Sequence, residues 1–449
     1  MRRLLPLLLL LLAPALPASA QPSTETFPYP LKVDRLPNGL TVVRVPFRSP
    51  GLVAYYSVVR VGSRNEVEPG KTGFAHFFEH MMFKGTKKHP EGERDRIVAS
   101  YGFDDNAFTT DDFTVYHSYG PTAGLDALIE LEADRFRNLE YAEPTFRTEA
   151  LAVLGEYHKN ESRPELKMEE QLLGTAFKEH PYRHTTLGFY EDIKAMPEAY
   201  AYSRTFFERW YTPDNTLLFI VGDFDDAAVM QQIREHYGPW NRKLAQVTIP
   251  AEPPQKEKRT AHIDWASSTL PRHVLAWHSP AAALTTPSAA IQSVLAAYLA
   301  GPTSPLYKEL VLEKQLAESI SSDSYPHRDP SLFTLNASLK DEQHRPTVEA
   351  AFTRAVRELA SGKVDASRVK AIQSNIRYGL LMDLEAPDDV GLQLAWYAGI
   401  FGTPDGLARH LQNVARVQPE QLASFAKRYL TDSNLTVLTL TPAAGGKQP

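Results

Sequence analysis

Two stretches of this chain resemble each other, and this repeat constrains the fold more than any other feature. The run FERWY at residues 207–211, followed by Asn215, recurs as FAKRY at residues 425–429, followed by Asn434. The repeat distance of 218 to 219 residues is long enough for each copy to form a domain. A chain of 449 residues can hold two such domains, each with its own core. We therefore predict two homologous halves.

A short linker is predicted between the halves. Residues 250–258, PAEPPQKEK, are rich in proline and charge and contain little that could be buried. They separate a first half, residues 21–249, from a second half, residues 259–449. The chain has no cysteine, so disulfides and thiolate metal sites are excluded. Any metal ligands must therefore be His, Asp or Glu.

Residues 1–20 have the features of a signal peptide rather than of the fold. They contain arginines at positions 2 and 3, continue with apolar residues at 4–12, and end with an ASA cleavage signal at 18–20. We predict export to the bacterial periplasm, with cleavage before Gln21 and no membrane span in the mature chain. The alternative is an uncleaved membrane anchor, for which the apolar run is short.

The composition is that of a globular protein that does not bind nucleic acid. Apolar residues make up 43% of the chain and charged residues 23%, which are ordinary proportions. The net charge is −6, and the chain contains no long Lys/Arg block. Both observations argue against a nucleic-acid partner, because such partners are bound through basic patches.

Local signals predict several secondary-structure elements of the first half. Asn38-Gly39 is a hairpin turn between two strands. Residues 53–61 resemble a strand, and the apolar spacing from 125 to 136 indicates an amphipathic helix. Thr72 is suited to cap the following helix, and Gly85 to end it.

That helix carries the sequence His76-Phe77-Phe78-Glu79-His80. Two histidines four residues apart lie on one face of a helix, with Glu79 on the turn between them. Imidazole nitrogens suit zinc, and a nearby carboxylate can take a proton from bound water. The H-x-x-E-H order is the inverzincin signature. The alternative is a helix with two solvated histidines.

A later helix offers a third ligand. Glu149 and Glu156 are seven residues apart, so both can face the same way, and Glu143-Pro144 is suited to open their helix. A second histidine pair, His180 and His184, flanks Pro181, which argues against a shared helix face. For that pair we favour a structural loop over metal binding.

With these motifs the chain resembles the pitrilysin–insulinase metallopeptidases, which include the mitochondrial processing peptidases. In that family the zinc glutamate follows the second histidine by about 76 residues, which matches Glu156, and another glutamate seven residues earlier matches Glu149. The segment GFDDNAFT at residues 102–109 resembles the family's G-x-x-x-N-A-x-T. The resemblance spans most of residues 30–440.

The resemblance implies an α+β fold. Each half would be a mostly antiparallel sheet covered by helices, and the two halves would form a clam-like chamber. Residues 21–249 would be the zinc-bearing half and residues 259–449 an inactive homologous half. At the repeat distance, the motif residues map to Val294, Ala297 and Tyr298, which cannot bind zinc.

The resemblance also implies a function. The chain would be an exported zinc endopeptidase that cleaves short or unfolded peptides and binds one Zn²⁺. The alternative is a non-catalytic assembly or scaffold subunit of the same fold.

Individual roles follow from the resemblance as well. His76, His80 and Glu156 would bind the zinc, Glu79 would be the general base, and Glu149 would assist catalysis. The family's counterparts of Asn106 and Ala107 present an edge strand to the peptide substrate. Both residues are therefore predicted to bind substrate.

One departure from the family concerns its non-zinc half. Relatives carry an Arg and a Tyr seven residues apart that help to hold the substrate carbonyl over the zinc. Here Val311 and Glu318 occupy those positions. We therefore expect this chain to be the zinc subunit of a heterodimer, whose partner of the same family supplies the Arg/Tyr pair.

Overall fold

The computed structural model describes residues 27–443, so the predicted signal peptide lies outside the described residues. The strands are β1 (Lys32–Arg35), β2 (Thr41–Pro46), β3 (Leu52–Val59), β4 (Asp104–Thr109), β5 (Thr114–Pro121), β6 (Thr216–Gly222), β7 (Arg259–Trp265), β8 (Arg272–Ser279), β9 (Ala317–Ser321), β10 (Ser331–Leu339) and β11 (Leu435–Pro442).

The α-helices lie between and after groups of these strands. They are α1 (Phe74–Met81), α2 (Glu93–Tyr101), α3 (Leu125–Asn138), α4 (Glu143–Glu161), α5 (Pro164–Ala176), α6 (Tyr190–Ala195), α7 (Tyr200–Trp210), α8 (Asp226–Tyr237), α9 (Ser288–Ala300), α10 (Pro305–Tyr307), α11 (Arg345–Ala360), α12 (Ala366–Met382), α13 (Pro387–Phe401), α14 (Gly406–Arg416) and α15 (Pro419–Tyr429). Short α10 continues into a π-helix at Lys308–Glu313.

The strands form two sheets with the same topology. The first has the order β1-β2-β6-β3-β5-β4, and the second has the order β7-β11-β8-β10-β9. In each sheet one neighbouring pair is parallel, β2 with β6 and β7 with β11, and the other pairs are antiparallel. The second sheet therefore repeats the first without β1. The prediction of an α+β fold with two homologous halves is confirmed.

The predicted hairpin joins β1 to β2. Gly39 adopts a left-handed φ of 102°, which glycine reaches without steric cost. The Asn38 side-chain amide donates to the carbonyls of Tyr237 and Trp240 at 2.8 and 2.9 Å. The turn is thus tied to the end of α8.

In each half, one helix packs against the sheet of the other half. Helix α13 packs against β3 and β6 of the first sheet, where Leu394 and Ala398 are buried beside Phe219. In the opposite direction, α5 packs against β7 and β11, where Met168 and Leu172 lie on the second sheet. Full burial of a large apolar side chain such as Leu394 contributes roughly 1.5–3 kcal/mol, so these contacts help to hold the two halves together.

Polar contacts add to this coupling at the turn between β4 and β5. Asp112 accepts hydrogen bonds from the Tyr182 hydroxyl at 2.7 Å and from the Arg328 backbone amide at 3.1 Å. Asp329 accepts from Arg64 at 2.6 Å and from His180 at 2.9 Å. The turn that follows β4 is therefore fixed by residues of the second half.

Residues 250–258 contain neither helix nor strand, in keeping with a connecting segment. Glu252 nevertheless accepts hydrogen bonds from the backbone amides of Lys178, Glu179 and His180. Within residues 27–443, no helix has both the length and the apolar character needed to cross a bilayer.

Candidate metal centre

Two helices bring together three side chains that are suited to bind a metal ion. His76 and His80 lie one turn apart on α1, and Glu156 reaches them from α4. The Glu156 Oε2 atom lies 3.6 Å from the Nε2 atom of each histidine. One donor atom from each residue lies within 4.8 Å of the others, and this is the sole such cluster of three or more in the described part of the chain.

Glu66 holds the first turn of α1 in place. Its carboxylate is fully buried and accepts hydrogen bonds from the backbone amides of Gly73 and Ala75, both at 2.7 Å. Helix amides in this position have no partner within the helix, and the helix dipole favours a negative charge there. Burial raises the pKa of Glu66 to about 8, although the hydrogen bonds from the two backbone amides oppose this shift.

The predicted capping role of Thr72 is wrong. The cap position is Gly73, with a φ of 87°, and the Thr72 hydroxyl instead donates to Asp192 at 2.7 Å. The helix also ends at Met81, before Gly85. Glu66, seven residues before the cap position, thus provides the contact that the sequence assigned to Thr72.

We expect Glu66→Ala to destabilise the protein and to weaken its binding of zinc. The substitution leaves two buried amides unpaired, at a cost of about 1–3 kcal/mol each, in the turn that carries His76. Chemical unfolding and a zinc titration would measure both effects. Glu198→Ala removes an exposed ion pair and should change neither. Unchanged zinc affinity in folded Glu66→Ala would show that this contact does not position the site.

Glu149 orients His80. Its Oε1 atom accepts a hydrogen bond of 2.8 Å from His80 Nδ1, and its Oε2 atom lies 2.7 Å from the Lys84 ammonium group. The hydrogen bond from His80 lowers the pKa of Glu149 to about 2. Burial alone would lower the pKa of His80, but the bond to Glu149 and the surrounding carboxylates raise it. With Nδ1 engaged in this way, Nε2 points to Glu156.

Glu79 lies beside the cluster without belonging to it. Its Oε2 atom accepts a hydrogen bond of 2.6 Å from the Thr109 hydroxyl, at the end of β4. Burial raises the pKa of Glu79 above its usual range, although the bond from Thr109 opposes this shift. A buried carboxylate with a raised pKa is well suited to accept a proton near neutral pH.

The donor set fits a zinc ion. Ligands of a tetrahedral zinc with bonds of about 2.0–2.1 Å lie roughly 3.3–3.4 Å apart, close to the 3.6 Å between Glu156 and each histidine. A ligand must also be deprotonated, and burial lowers the pKa of His76 to about 3. His80 is fixed through Nδ1 by a carboxylate, which is typical of the shell around a metal ligand.

The predicted substrate-binding residues lie on an edge strand. Strand β4 pairs with β5 on one side and ends the order of the first sheet. Ala107 packs against the hydrophobic core of the first half, to which α1 contributes, whereas Asn106 is exposed on the other face of the strand. The free edge of β4 therefore runs past Glu79 and the metal ligands.

The second half has no comparable cluster among its described residues. Val294 and Tyr298 are buried in α9, where they pack in the second core. Val311 lies on the π-helix and packs against that core, and Glu318 is exposed on β9 with Lys340 at 3.9 Å. The second edge strand thus carries an acid where the family has Tyr.

Sequence reasoning missed three residues that support the site. Glu66, Lys84 and Thr109 contact the helix, Glu149 and Glu79, respectively. Only Thr109 had a signal, because it ends the segment that resembles the family. Glu66 and Lys84 are ordinary charged residues near a motif, and their partners became apparent only in three dimensions.

Two protein-family models match this chain. The family model described as "Insulinase (Peptidase family M16)" matches residues 53–188. The model described as "Peptidase M16 inactive domain" matches residues 200–376. The chain belongs to the M16 peptidase family. Membership of the pitrilysin–insulinase family, predicted from the motifs, is confirmed.

Similar proteins support the family assignment over almost the whole chain. The zinc protease PqqE of Helicobacter pylori is 29% identical over 421 residues, which cover 91% of this chain and 92% of PqqE. The crystal structure of a protease from Helicobacter pylori has a TM-score of 0.83 and 28% identity, and covers 92% of this chain and 100% of that chain.

A second similar structure is about twice as long. The periplasmic protease PqqL of Escherichia coli has a TM-score of 0.73 and 19% identity, and the match covers 94% of this chain but 48% of PqqL. The first half of PqqL alone covers the same 94% of this chain, with a TM-score of 0.72. The fold of this chain thus corresponds to one half of that larger protease.

Proposed function

We propose that this M16 family member is a zinc-dependent endopeptidase that hydrolyses short or unfolded peptides. The observation that carries the proposal is the convergence of His76, His80 and Glu156, with Glu79 beside them. Relatives named as zinc proteases support it. Zinc, when bound, supplies a Lewis acid for the scissile carbonyl and lowers the pKa of a bound water to about 7.

The residues of this chain then have separate roles in zinc binding, positioning and proton transfer. His76, His80 and Glu156 hold one zinc ion, and Glu149 positions His80. Glu79 accepts a proton from the attacking water and passes it to the leaving amine, and Thr109 fixes the orientation of Glu79. A peptide that lies along β4 hydrogen-bonds through its backbone, with Asn106 and Ala107 at the edge, so binding depends little on sequence.

Removal of a ligand should abolish zinc binding. We expect the purified protein to hold one equivalent of zinc, and His76→Ala or Glu156→Ala to lose it. Loss of a residue that hydrogen-bonds to a metal ligand typically lowers metal affinity by about 10–100-fold, so Glu149→Gln should weaken zinc binding within that range. Metal analysis of the dialysed proteins measures this, with His158→Ala, an exposed neighbour on α4, as the control. Full zinc retention in both ligand variants would contradict the assignment.

We further propose that the chain is exported to the periplasm and works with a partner of the same family. Residues 1–20 supply the leader, and the similar PqqL is described as periplasmic. Val311 and Glu318 cannot donate a hydrogen bond to a scissile carbonyl, because valine has no donor and ionised glutamate only accepts. The relation to one half of PqqL supports a second unit that completes the site.

A scaffold subunit without catalysis is the second candidate. The missing Arg/Tyr pair favours it, whereas the complete zinc and base set favours the peptidase. Zinc content, together with peptide cleavage measured with and without the co-purified partner, separates the two. A scaffold would show no cleavage under either condition.

A further inference from the structure

A cavity of about 780 Å³ opens between the two halves, next to β4. One wall is the first sheet, with Tyr56, Phe108 and His117. The other wall belongs to the second half, with Trp396 of α13 and Tyr325 of the loop between β9 and β10. Phe108 stacks on Trp396 with ring centres 6.1 Å apart, and His117 stacks on Tyr56 at 5.1 Å.

This cavity and the metal centre lie on opposite faces of the same strand. Side chains alternate along a strand, so Ala107 and Thr109 face α1 and Glu79, whereas Phe108 faces the cavity. His117, the partner of Asn106 in β5, lies on the cavity face too. A peptide added to the free edge of β4 would alternate in the same way. Every second side chain would point towards the cavity.

The side chain that enters must come from close to the scissile bond. Thr109, which contacts Glu79, is the residue next to Phe108, and successive strand residues rise by about 3.3 Å. An occupant within about two residues of the cleaved bond is therefore within reach of the cavity.

The walls of the cavity favour an aromatic occupant. Five of its lining residues are Phe, Tyr or Trp, and no Lys or Arg is among those that the structure describes there. Its two carboxylates already have partners: Asp388 accepts from the Tyr56 hydroxyl, and Asp323 from the Asn336 amide, both at 2.7 Å. They would repel an acidic side chain. Aromatic rings bind one another through offset or edge-on contacts, which this arrangement offers.

We propose that this cavity is a specificity subsite that binds a bulky aromatic side chain of a peptide docked on β4. The inference rests on the proposed peptidase function and adds a selectivity that backbone pairing along β4 does not provide. Because α13 and Tyr325 come from the second half, both halves would then contribute to the choice of substrate. The inactive half would have a binding role of its own.

The test uses the zinc-loaded full chain, with its partner where cleavage requires it. Quenched fluorescent peptides carry Phe, Ala, Arg or Asp in turn at each position around the cleaved bond. We expect one position at which Phe exceeds Ala by at least about tenfold in kcat/KM, as for other apolar pockets. Trp396→Ala should reduce that ratio towards one. Tyr325 is 64% exposed, so Tyr325→Ala should fold normally and lower the ratio as well.

Tyr378→Ala, an exposed aromatic residue outside the cavity, is the matched control and should leave the ratio unchanged. A preference for Arg, equal cleavage of Phe and Ala peptides at every position, or an aromatic preference that survives both variants would overturn the subsite.

A binding measurement separates this inference from the peptidase function. The affinity of Glu79→Gln for the same Phe and Ala peptides is measured with and without Trp396→Ala. If wild type cleaves no peptide but Phe-dependent binding persists and needs Trp396, then the peptidase proposal fails and the subsite stands. Equal affinity for both peptides contradicts the subsite, whatever the cleavage result.

Discussion

Glu79→Gln should retain the zinc and lose at least about 10²-fold in kcat, the usual contribution of a general base. The amide of glutamine can still accept the hydrogen bond from Thr109, so the geometry of the site should persist. It cannot accept the proton of the attacking water. Steady-state peptide cleavage and metal analysis of the same preparation measure the two effects together.

A matched variant guards against a general effect of removing charge. Glu161→Gln neutralises an exposed carboxylate near the end of α4, five residues beyond Glu156, and should cleave normally. Near-normal turnover by Glu79→Gln would mean that another group is the base. Loss of zinc from that variant would instead make Glu79 part of the metal shell.

The spacing within each part of the site was predictable because it is local, whereas the meeting of the two parts was implied by the resemblance to the family. The helical spacing of His76 and His80, and that of Glu149 and Glu156, follows from 3.6 residues per turn. The structure places His76, His80 and Glu156 in one cluster and Glu149 behind His80. The support provided by Glu66 was not predictable, since a loop carboxylate can meet helix amides only after the chain has folded back.

The fold shows the same division between local and distant effects. The repeat predicted two halves, and the turn residues predicted the first hairpin. Nothing in the sequence of α5 or α13 indicated that each covers the sheet of the other half. Amphipathic periodicity shows that a helix has an apolar face but does not identify the surface that buries it. The aromatic cavity depends on this exchange, because Trp396 reaches Phe108 only through α13.

The isolated chain should bind zinc yet cleave peptides slowly, and a partner with the Arg/Tyr pair should raise the rate at least about 10²-fold. Removal of one donor to a developing oxyanion commonly costs about 10²–10³-fold in kcat, and this chain lacks two. An ionised Glu318, which is exposed on β9, would also repel that oxyanion. Titration of the chain with the partner, at constant zinc content, measures the effect.

Two further variants identify the source of the gain. Substitution of the Arg or the Tyr in the partner should abolish the rate increase while the complex still forms, because only the hydrogen bonds to the carbonyl are lost. A homodimer is the weaker alternative, since both copies carry Val311 and Glu318 at these positions. Full activity from a verified monomer would contradict the borrowed pair and would require donors from elsewhere in this chain.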